Sequence, residues 1–147
     1  MITFRRLHPN ETHQIFGIVK QSLFEFVDKV FGWDDAFQQQ RIDNDYQPDW
    51  FHWLCEEGAV KGLVCFRPIE QRVHVHLLIV FEAHQQQGLG ERAMDAIHAQ
   101  ARFGHFDSVT LSCFNCNQRA LAFYLRLGYQ VSTHDEDFSE LVFRLIQ

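Results

Sequence analysis

Apolar side chains in the first third of the chain recur at steps of three and four residues. This spacing produces the apolar stripe of an amphipathic helix, which runs through Ile15, Val19, Val27 and Val30, and Gly32 is placed to end it. Asp34 or Asp35 can cap a second, shorter helix that continues to about Ile42. The polar segment DNDYQPD then predicts a connection. The pattern therefore predicts two helices in succession near the amino terminus.

Period-two patterns and short apolar runs predict strands on both sides of these helices. The predicted strands are residues 2–6, 50–55, 60–67, 73–81, 109–114, 129–133 and 141–146. The runs 50–55, 60–67 and 73–81 follow one another closely, with Glu56-Glu57-Gly58 and Pro68 as turn signals. Closely spaced strands joined by short turns indicate an antiparallel meander.

Two further helices are predicted in the second half of the chain. Leu89, Ala93, Ile97 and Ala101 lie four apart, and Gly104 would end that helix. Residues 117–127 form the other helix, followed by Gly128. The element order is β-α-α-β-β-β-α-β-α-β-β. Strands joined by both hairpins and helices predict a mixed sheet in an α/β (α+β) fold, and no linker divides residues 1–147, so we expect a single domain.

Composition narrows the class of protein. The chain has 147 residues, of which 46% are apolar, and a net charge of −6. Nucleic-acid binding requires clustered basic residues, and none is present, so we expect no nucleic-acid partner. No run approaches the roughly 20 apolar residues of a membrane span. The first residues lack the apolar region of a secretory signal, which makes a cytoplasmic location the expectation.

The segment Gln85-Gln86-Gln87-Gly88-Leu89-Gly90 lies between a predicted strand and a predicted helix. The first turn of a helix has backbone N–H groups without intrahelical partners and a positive dipole end, so it attracts phosphate. Glycines at 88 and 90 let the backbone approach the phosphate oxygens closely. The Walker pattern is excluded because Glu91-Arg92, and not Lys-Ser/Thr, follows the second glycine. The third glycine of the dinucleotide fingerprint is also missing.

Two motifs together resemble the GNAT superfamily of acyl-CoA N-acyltransferases. HQQQGLGERAM is similar to the family signature Gln/Arg-x-x-Gly-x-Gly/Ala, between the fourth strand and the third helix. NQRALAFYLRLGY, residues 117–129, is similar to the family's Asn-x-x-Ala-x-x-x-Tyr segment. The order and separation of the motifs also fit, so the resemblance covers essentially the whole chain. It implies a mixed, mostly antiparallel sheet of about seven strands flanked by about four helices.

The resemblance also implies a donor, a reaction and site residues. The donor would be acetyl-CoA, and its acetyl group would pass to a primary amine of a small molecule or peptide by direct attack. Tyr124 matches the general acid, which suits a phenol that stays protonated at neutral pH. The implied cofactor-binding residues are Leu78, Ile79, Val80, Gln85, Gln86, Gln87, Gly88, Leu89, Gly90, Glu91, Asn117 and Tyr124. No metal is expected, and the enzyme would be a monomer or homodimer.

The general base is open at this stage. His74 and His76 lie two apart on a predicted strand, hence on one face, and imidazole has a suitable pKa. A His-x-His pair on a strand is more often structural, and Glu82 or His134 are alternatives. The acceptor wall would come from residues 10–43, and possible lining residues are Trp33, Asp34, Asp35, Arg41, Tyr46 and Trp50.

Two alternatives to catalysis remain. Cys113 and Cys116 form a C-x-x-C between a strand and a helix, where a reactive dithiol would lie, so a thiol redox or sensing module is one alternative. Cys113 is more simply explained as a small buried residue of an alternating strand. The other alternative is a relative that binds acyl-CoA without turnover.

Overall fold

The computed structural model describes residues 1–146 and contains seven strands and four α-helices within that range. The strands are β1 (Ile2–Arg6), β2 (Phe51–Glu56), β3 (Ala59–Ile69), β4 (Arg72–Val80), β5 (Ser108–Phe114), β6 (Gln130–His134) and β7 (Phe138–Arg144). The helices are α1 (Ile15–Phe31), α2 (Asp35–Asp45), α3 (Leu89–Phe103) and α4 (Gln118–Leu127). Short 3-10 turns at Pro9–Gln14, Pro48–Trp50 and Glu82–His84 precede α1, β2 and the glycine-rich turn.

All seven strands belong to one sheet, in the order β1-β2-β3-β4-β5-β7-β6. Each neighbouring pair is antiparallel except β4 and β5, which run parallel. The parallel pair arises because α3 carries the chain from the end of β4 back to the start of β5, as a crossover between parallel strands requires. The expected mixed, mostly antiparallel sheet with four flanking helices is confirmed.

The centre of the sheet contains a bulge and a gap. Along β3 and β4, Cys65 lies opposite Leu77 and Phe66 opposite Val75, so His76 is the extra residue of a β-bulge. The parallel ladder between β4 and β5 ends at the pair Val75–Leu111. A bulge bends and twists its strand. Beyond Val75, β4 is therefore paired only with β3, and the two central strands separate.

The helices cover opposite faces of the sheet. On one face, Met94 and Ile97 of α3 are buried against Val75, Val109 and other central residues, and the apolar side of α4 packs on the same cluster. On the other face, Ile15 and Val19 of α1 are buried in a cluster with residues of β2, β3 and β4. Burying a large aliphatic side chain contributes about 1.5–3 kcal/mol, so the two clusters hold the helices against the sheet on both sides.

Several element boundaries differ from the predicted ones. Helix α2 continues to Asp45, where Arg41 and Asp45 form an ion pair of 3.7 Å one turn apart. Strand β7 begins at Phe138, three residues before the predicted start, and ends at Arg144. The reason is Asp135, whose carboxylate accepts the N–H groups of Asp137 and Phe138 at 2.8 and 2.7 Å. This side-chain turn shortens the loop and lets the strand start earlier.

We predict that Gly62→Ala destabilises the protein by about 1–3 kcal/mol, the usual cost of overpacking. Gly62 lies opposite Val80 in the β3–β4 ladder, and an added Cβ would collide with the backbone carbonyl of Ile79. Denaturant unfolding measures the effect. Gly17→Ala in α1 is the matched control, because nothing lies within 4 Å of its Cβ position. The control should be stabilising by roughly 0.5–1 kcal/mol, and equal effects of the two changes would contradict the prediction.

Candidate active site

A cavity of about 350 Å³ occupies the gap between β4 and β5. Leu77 and Ile79, which line it, belong to the cluster beneath α1, whereas Leu111 and Cys113 belong to the cluster beneath α3 and α4. The lining residues thus come from both faces of the sheet. Side chains from both faces of the sheet therefore meet around one cavity.

The glycine-rich turn is built to bind an anion. Gly88 has a φ of 75° in the left-handed region and is the N-cap of α3, and Gln86 also has a positive φ of 62°. The first intrahelical bond runs from the N–H of Arg92 to the carbonyl of Gly88 at 3.1 Å. The N–H groups of residues 89–91 precede that bond and are the free donors of the helix start. Convergent backbone donors at a positive helix end bind phosphate.

Arg92 braces this turn from within α3. Its Nη1 donates to the carbonyl of Gln87 at 2.7 Å, and its Nε and Nη2 donate to the two carboxylate oxygens of Glu56 at 2.7 and 2.9 Å. The hydrogen bonds from Arg92 to Glu56 lower the pKa of this carboxyl group to about 2, and a hydrogen bond from Lys61 contributes to the shift. A bidentate arginine–carboxylate pair fixes geometry as well as charge. The turn is therefore held in shape before any phosphate arrives.

The turn is also tied to β4 and α4. Gln85 donates from Nε2 to the carbonyl of Val80 at 2.9 Å, at the last residue of β4. A Cβ at Gly90 would lie 3.3 Å from the ring of Phe123, so the missing side chain lets α3 begin directly against α4. The predicted phosphate site and the helix that carries Tyr124 are therefore neighbours.

Asn117 and Tyr124 stand at the start and in the middle of α4, and both line the cavity. Asn117 caps the helix, since its Oδ1 accepts the N–H of Ala120 at 3.2 Å. Burial raises the pKa of Tyr124 far above its usual range, and the nearby thiol of Cys113 acts in the same direction. Tyr124 therefore stays protonated. Its hydroxyl forms no hydrogen bond within residues 1–146, and the residue lines the cavity, so the hydroxyl is available to a bound molecule.

The two histidines of β4 lie side by side with ring centroids 4.7 Å apart, and both line the cavity. Arg67 donates from Nε to Nε2 of His76 at 3.1 Å, so that nitrogen carries a lone pair and His76 is neutral. Burial, then the neighbouring His74 and Arg67, lower the pKa of His76 to about 4. His76 is thus an uncharged ring whose Nε2 is already engaged.

His74 has a different environment. Its Nδ1 lies 2.8 Å from Oγ1 of Thr110 across the parallel ladder. Burial lowers the pKa of His74, while the carboxylate of Glu140 opposes that shift. Glu140 itself accepts a hydrogen bond of 2.7 Å from Ser112. His74 is therefore neutral at pH 7, has one ring nitrogen without a protein partner in the described chain, and lies in the field of a carboxylate.

Aromatic residues from the segment before β2 complete the wall beside His76. Trp50 stacks on the imidazole with centroids 5.4 Å apart and planes at 8°, and the guanidinium of Arg67 lies 4.2 Å from the centre of the Trp50 ring. Tyr46 meets His76 edge to face at 5.3 Å. These contacts hold the histidine ring in one orientation.

The six residues suggested for the acceptor wall divide into two groups. Trp33, Arg41 and Tyr46 line the cavity. Asp34 caps α2, Asp35 pairs with Lys20 at 2.8 Å, and Trp50 lies behind His76. Five residues of the site were missed by the sequence: Gln38, Arg67, Arg92, Thr110 and Glu140. Their roles depend on partners that are mostly distant in sequence, and the only local signal was the position of Arg92 four residues after Gly88.

Cys113 has the properties of a buried structural thiol, and Cys116 is half-buried. Cys113 is 6% exposed, and burial raises its pKa to about 11. Redox-active dithiols need a lowered pKa, because the thiolate is the reactive form. All four cysteines are free. The geometry thus gives no support to a thiol redox site.

No helix in residues 1–146 has the length and apolarity to cross a membrane. Within the same range, no three side chains of the types His, Cys, Asp and Glu are grouped so as to hold a metal ion.

Comparison with known proteins identifies the class to which this fold and cavity belong. A family model described as the acetyltransferase (GNAT) family matches residues 14–129. A curated relative, the 5-NmdU N-acetyltransferase of Pseudomonas phage PaMx11, is 30% identical over 132 residues, which cover 90% of this chain and 89% of the relative. The chain therefore belongs to the GNAT family of acetyltransferases, and it is an enzyme of the N-acetyltransferase class.

Solved structures show the same fold at low sequence identity. The PaiA N-acetyltransferase of Thermoplasma acidophilum, in complex with coenzyme A, has a TM-score of 0.76 at 11% identity, covering 98% of this chain and 99% of that one. The ribosomal-protein-S18-alanine N-acetyltransferase of Escherichia coli has a TM-score of 0.68 at 16% identity, with coverage of 100% and 96%. At these identities the likeness concerns the fold alone.

We predict that Arg92→Gln weakens acetyl-CoA binding by about 3- to 10-fold, because the turn loses its brace at the carbonyl of Gln87 and must be ordered on binding. Isothermal titration calorimetry measures the dissociation constant. Arg102→Gln, near the end of the same helix, is the matched control and should bind as the wild type does, since Arg102 forms no side-chain ion pair in the described chain. Equal weakening in both variants would show a general charge effect.

Proposed function

We propose that this chain, as a single GNAT domain over residues 1–147, transfers an acetyl group from acetyl-CoA to a primary amine by direct attack. The observation that carries the proposal is the cavity in the sheet gap, because Tyr124 from one face and His74 and His76 from the other line it together. The glycine-rich turn lies next to the helix that carries Tyr124. Structural neighbours solved with coenzyme A support the choice of donor.

The donor would lie along β4 and across α3. Its pyrophosphate would accept hydrogen bonds from the backbone N–H groups of residues 85–91, where Arg92 already braces the turn. Its pantetheine arm would pair with the backbone of residues 78–80, since this part of β4 has a strand partner only on the β3 side. Asn117, at the start of α4, would bond to the arm. The thioester would then reach the gap beside Tyr124.

Tyr124 would act as general acid in the second half of the reaction. The amine attacks the thioester carbonyl, a tetrahedral oxyanion forms, and the carbon–sulfur bond breaks with the electron pair leaving on sulfur. Free N–H groups on the open edge of β4 can stabilise the oxyanion. The raised pKa of Tyr124 keeps its proton in place until the thiolate of coenzyme A takes it.

His74 is the better candidate for the general base of the two histidines. The Nε2 of His76 is engaged by Arg67, so accepting a proton there would break a hydrogen bond and place two cations together. With Nδ1 of His74 donating to Thr110, its Nε2 is left with a lone pair that can take the proton of the attacking amine. Glu140 would stabilise the imidazolium that forms. We propose that His76 forms a neutral wall of the acceptor site.

The experiment that tests the function is thiol release from acetyl-CoA with a panel of amines. The panel contains 5-NmdU, because the phage relative carries that acceptor in its name and is 30% identical, together with alkyl amines, polyamines and a peptide amino terminus. Mass spectrometry must show the acetylated amine. If acetyl-CoA stabilises the fold but no amine of any class is acetylated, the binding-only alternative replaces this proposal.

We predict that Tyr124→Phe lowers kcat by about 10²- to 10⁴-fold, the range for loss of a general acid, while the dissociation constant of acetyl-CoA changes less than twofold. The ring stays in place and only the hydroxyl is lost. Steady-state thiol release gives kcat, and calorimetry gives the binding constant. Tyr46→Phe is the matched control, because it removes a phenol from the same cavity at a position with no acid role. An unchanged kcat in Tyr124→Phe would remove the assignment.

We predict that kcat/KM falls on the acid side as pH drops through the pKa of His74, which burial places below its usual 6.5. A base must be unprotonated, so activity is present above that pKa and lost below it. The raised pKa of Tyr124 means that no loss follows from its ionisation up to about pH 10.

The variant His74→Gln should lose at least about 10-fold in kcat/KM at pH 7, as expected for removal of a general base. Its pH profile should also lack the acid limb, which is the fall of kcat/KM at low pH. His134→Gln is the companion variant, since His134 is fully outside the cavity lining, and its pH profile should match that of the wild type. If instead the acid limb disappears in His134→Gln and persists in His74→Gln, the base is assigned to the wrong residue.

A further inference from the structure

The buried side of α2 presents a polar group to the cavity. Gln38 is the buried residue of this helix at 6% exposure, whereas the adjacent Phe37 is 56% exposed to solvent. Burying an amide is costly unless its hydrogen bonds are made. Packing alone would place Phe37 inward and Gln38 outward. The reverse orientation indicates that Gln38 serves to bind a molecule in the cavity.

The amide of Gln38 is only partly satisfied by the protein. Its Oε1 accepts a hydrogen bond of 3.3 Å from Nη1 of Arg41. Because a guanidinium only donates, this contact fixes which end of the amide is oxygen. The Nε2 group then has two N–H donors with no acceptor among residues 1–146, and the residue lines the cavity. These donors are available to an oxygen of a bound molecule.

The charges around the cavity select against a polycation. No aspartate or glutamate is among the residues that line it, and Arg41 is its cation. A polyamine or a lysine-rich peptide would bring several positive charges into a space without a carboxylate to pair them, which is strongly unfavourable. This lining favours an acceptor that carries no cation besides its one reacting amine.

The walls of the same space favour a flat molecule. His76 and Tyr46 present an imidazole and a phenol at right angles, and Phe114 and Phe138, with centroids 4.5 Å apart, line the cavity further along β5 and β7. Aromatic side chains stack on planar rings and meet their edges with favourable geometry. Donors at one side and aromatic rings around them are complementary to a heterocycle.

We infer that the acceptor is a small primary amine carried on a flat heterocyclic ring, whose ring carbonyl oxygen is bound by Gln38 Nε2 and Arg41. This inference rests on the proposed acetyl transfer and defines its acceptor class. It makes Gln38 a specificity-determining residue with no part in the chemical step. A ring of similar size without the carbonyl places an apolar edge against the Nε2 donors of Gln38 and is disfavoured.

The test compares 3-(aminomethyl)-2-pyridone with benzylamine, which has a ring of the same size without a carbonyl, and with spermidine. For the wild type, kcat/KM should be at least about 10-fold higher for the pyridone than for benzylamine, the factor expected for a lost hydrogen bond to a buried donor. Spermidine should be the poorest substrate. In Gln38→Leu the preference for the pyridone over benzylamine should fall to about twofold or less.

Stability separates this role from a structural one. Gln38→Leu should keep the melting temperature of the wild type or raise it, because it removes from a buried position an amide that forms only one hydrogen bond with the protein. Gln40→Leu on the same helix is the control, since Gln40 is exposed, and its preference should equal that of the wild type. Equal turnover of pyridone and benzylamine by the wild type, or an unchanged preference in Gln38→Leu, overturns the inference.

A second measurement distinguishes this failure from failure of the proposed function. Binding of 2-pyridone, which has no amine, is titrated by NMR against wild type and Gln38→Leu in the presence of coenzyme A. Absence of turnover with every amine overturns the acetyl transfer. If no amine is turned over but 2-pyridone binds more weakly to Gln38→Leu than to the wild type, recognition of the ring carbonyl is still supported. If 2-pyridone binds equally to both, recognition of the ring carbonyl is overturned as well.

Discussion

The separation of β4 from β5 beyond Val75 and Leu111 is the constraint on which the site depends. Hydrogen bonds hold the two strands together over four residue pairs, and then the bulge at His76 turns β4 away. A continuous ladder would fill this space with paired backbone groups. The gap instead leaves an unpaired backbone edge of β4 and a cavity lined by residues from both faces of the sheet.

The two sides of that gap differ in electrostatic character. Next to α3, free backbone N–H groups lie at the positive end of a helix, and the Arg92–Glu56 pair holds the turn without adding net charge. On the face covered by α1 and α2, the histidines of β4 are neutral because burial lowers their pKa values. A cavity lined by no carboxylate favours the uncharged form of a bound amine. That is the form which attacks a thioester.

Much of the fold was readable from local patterns. The period of 3.6 placed α1 and α3, and the turn signals at Glu57-Gly58 and Pro68 fell at or near the ends of β2 and β3. The start of β7 was misplaced by three residues, because the Asp135 carboxylate closes a tighter turn than its polar neighbours suggested. The bulge at His76 carries no residue-level signal, since it appears only in the register between β3 and β4.

The sequence by itself determined the features that depend on neighbouring backbone: the left-handed Gly88 before α3, the Asn117 cap of α4 and the position of Tyr124 along that helix. Tertiary structure alone decided which distant groups meet. Arg92 binds Glu56, and His74 contacts Thr110; each pair is separated by 36 positions of the chain. Gln38 lines the cavity only because α2 packs against the sheet beside α1. A helix cap needs partners within one turn, whereas these contacts depend on strand register and on the burial of whole helices.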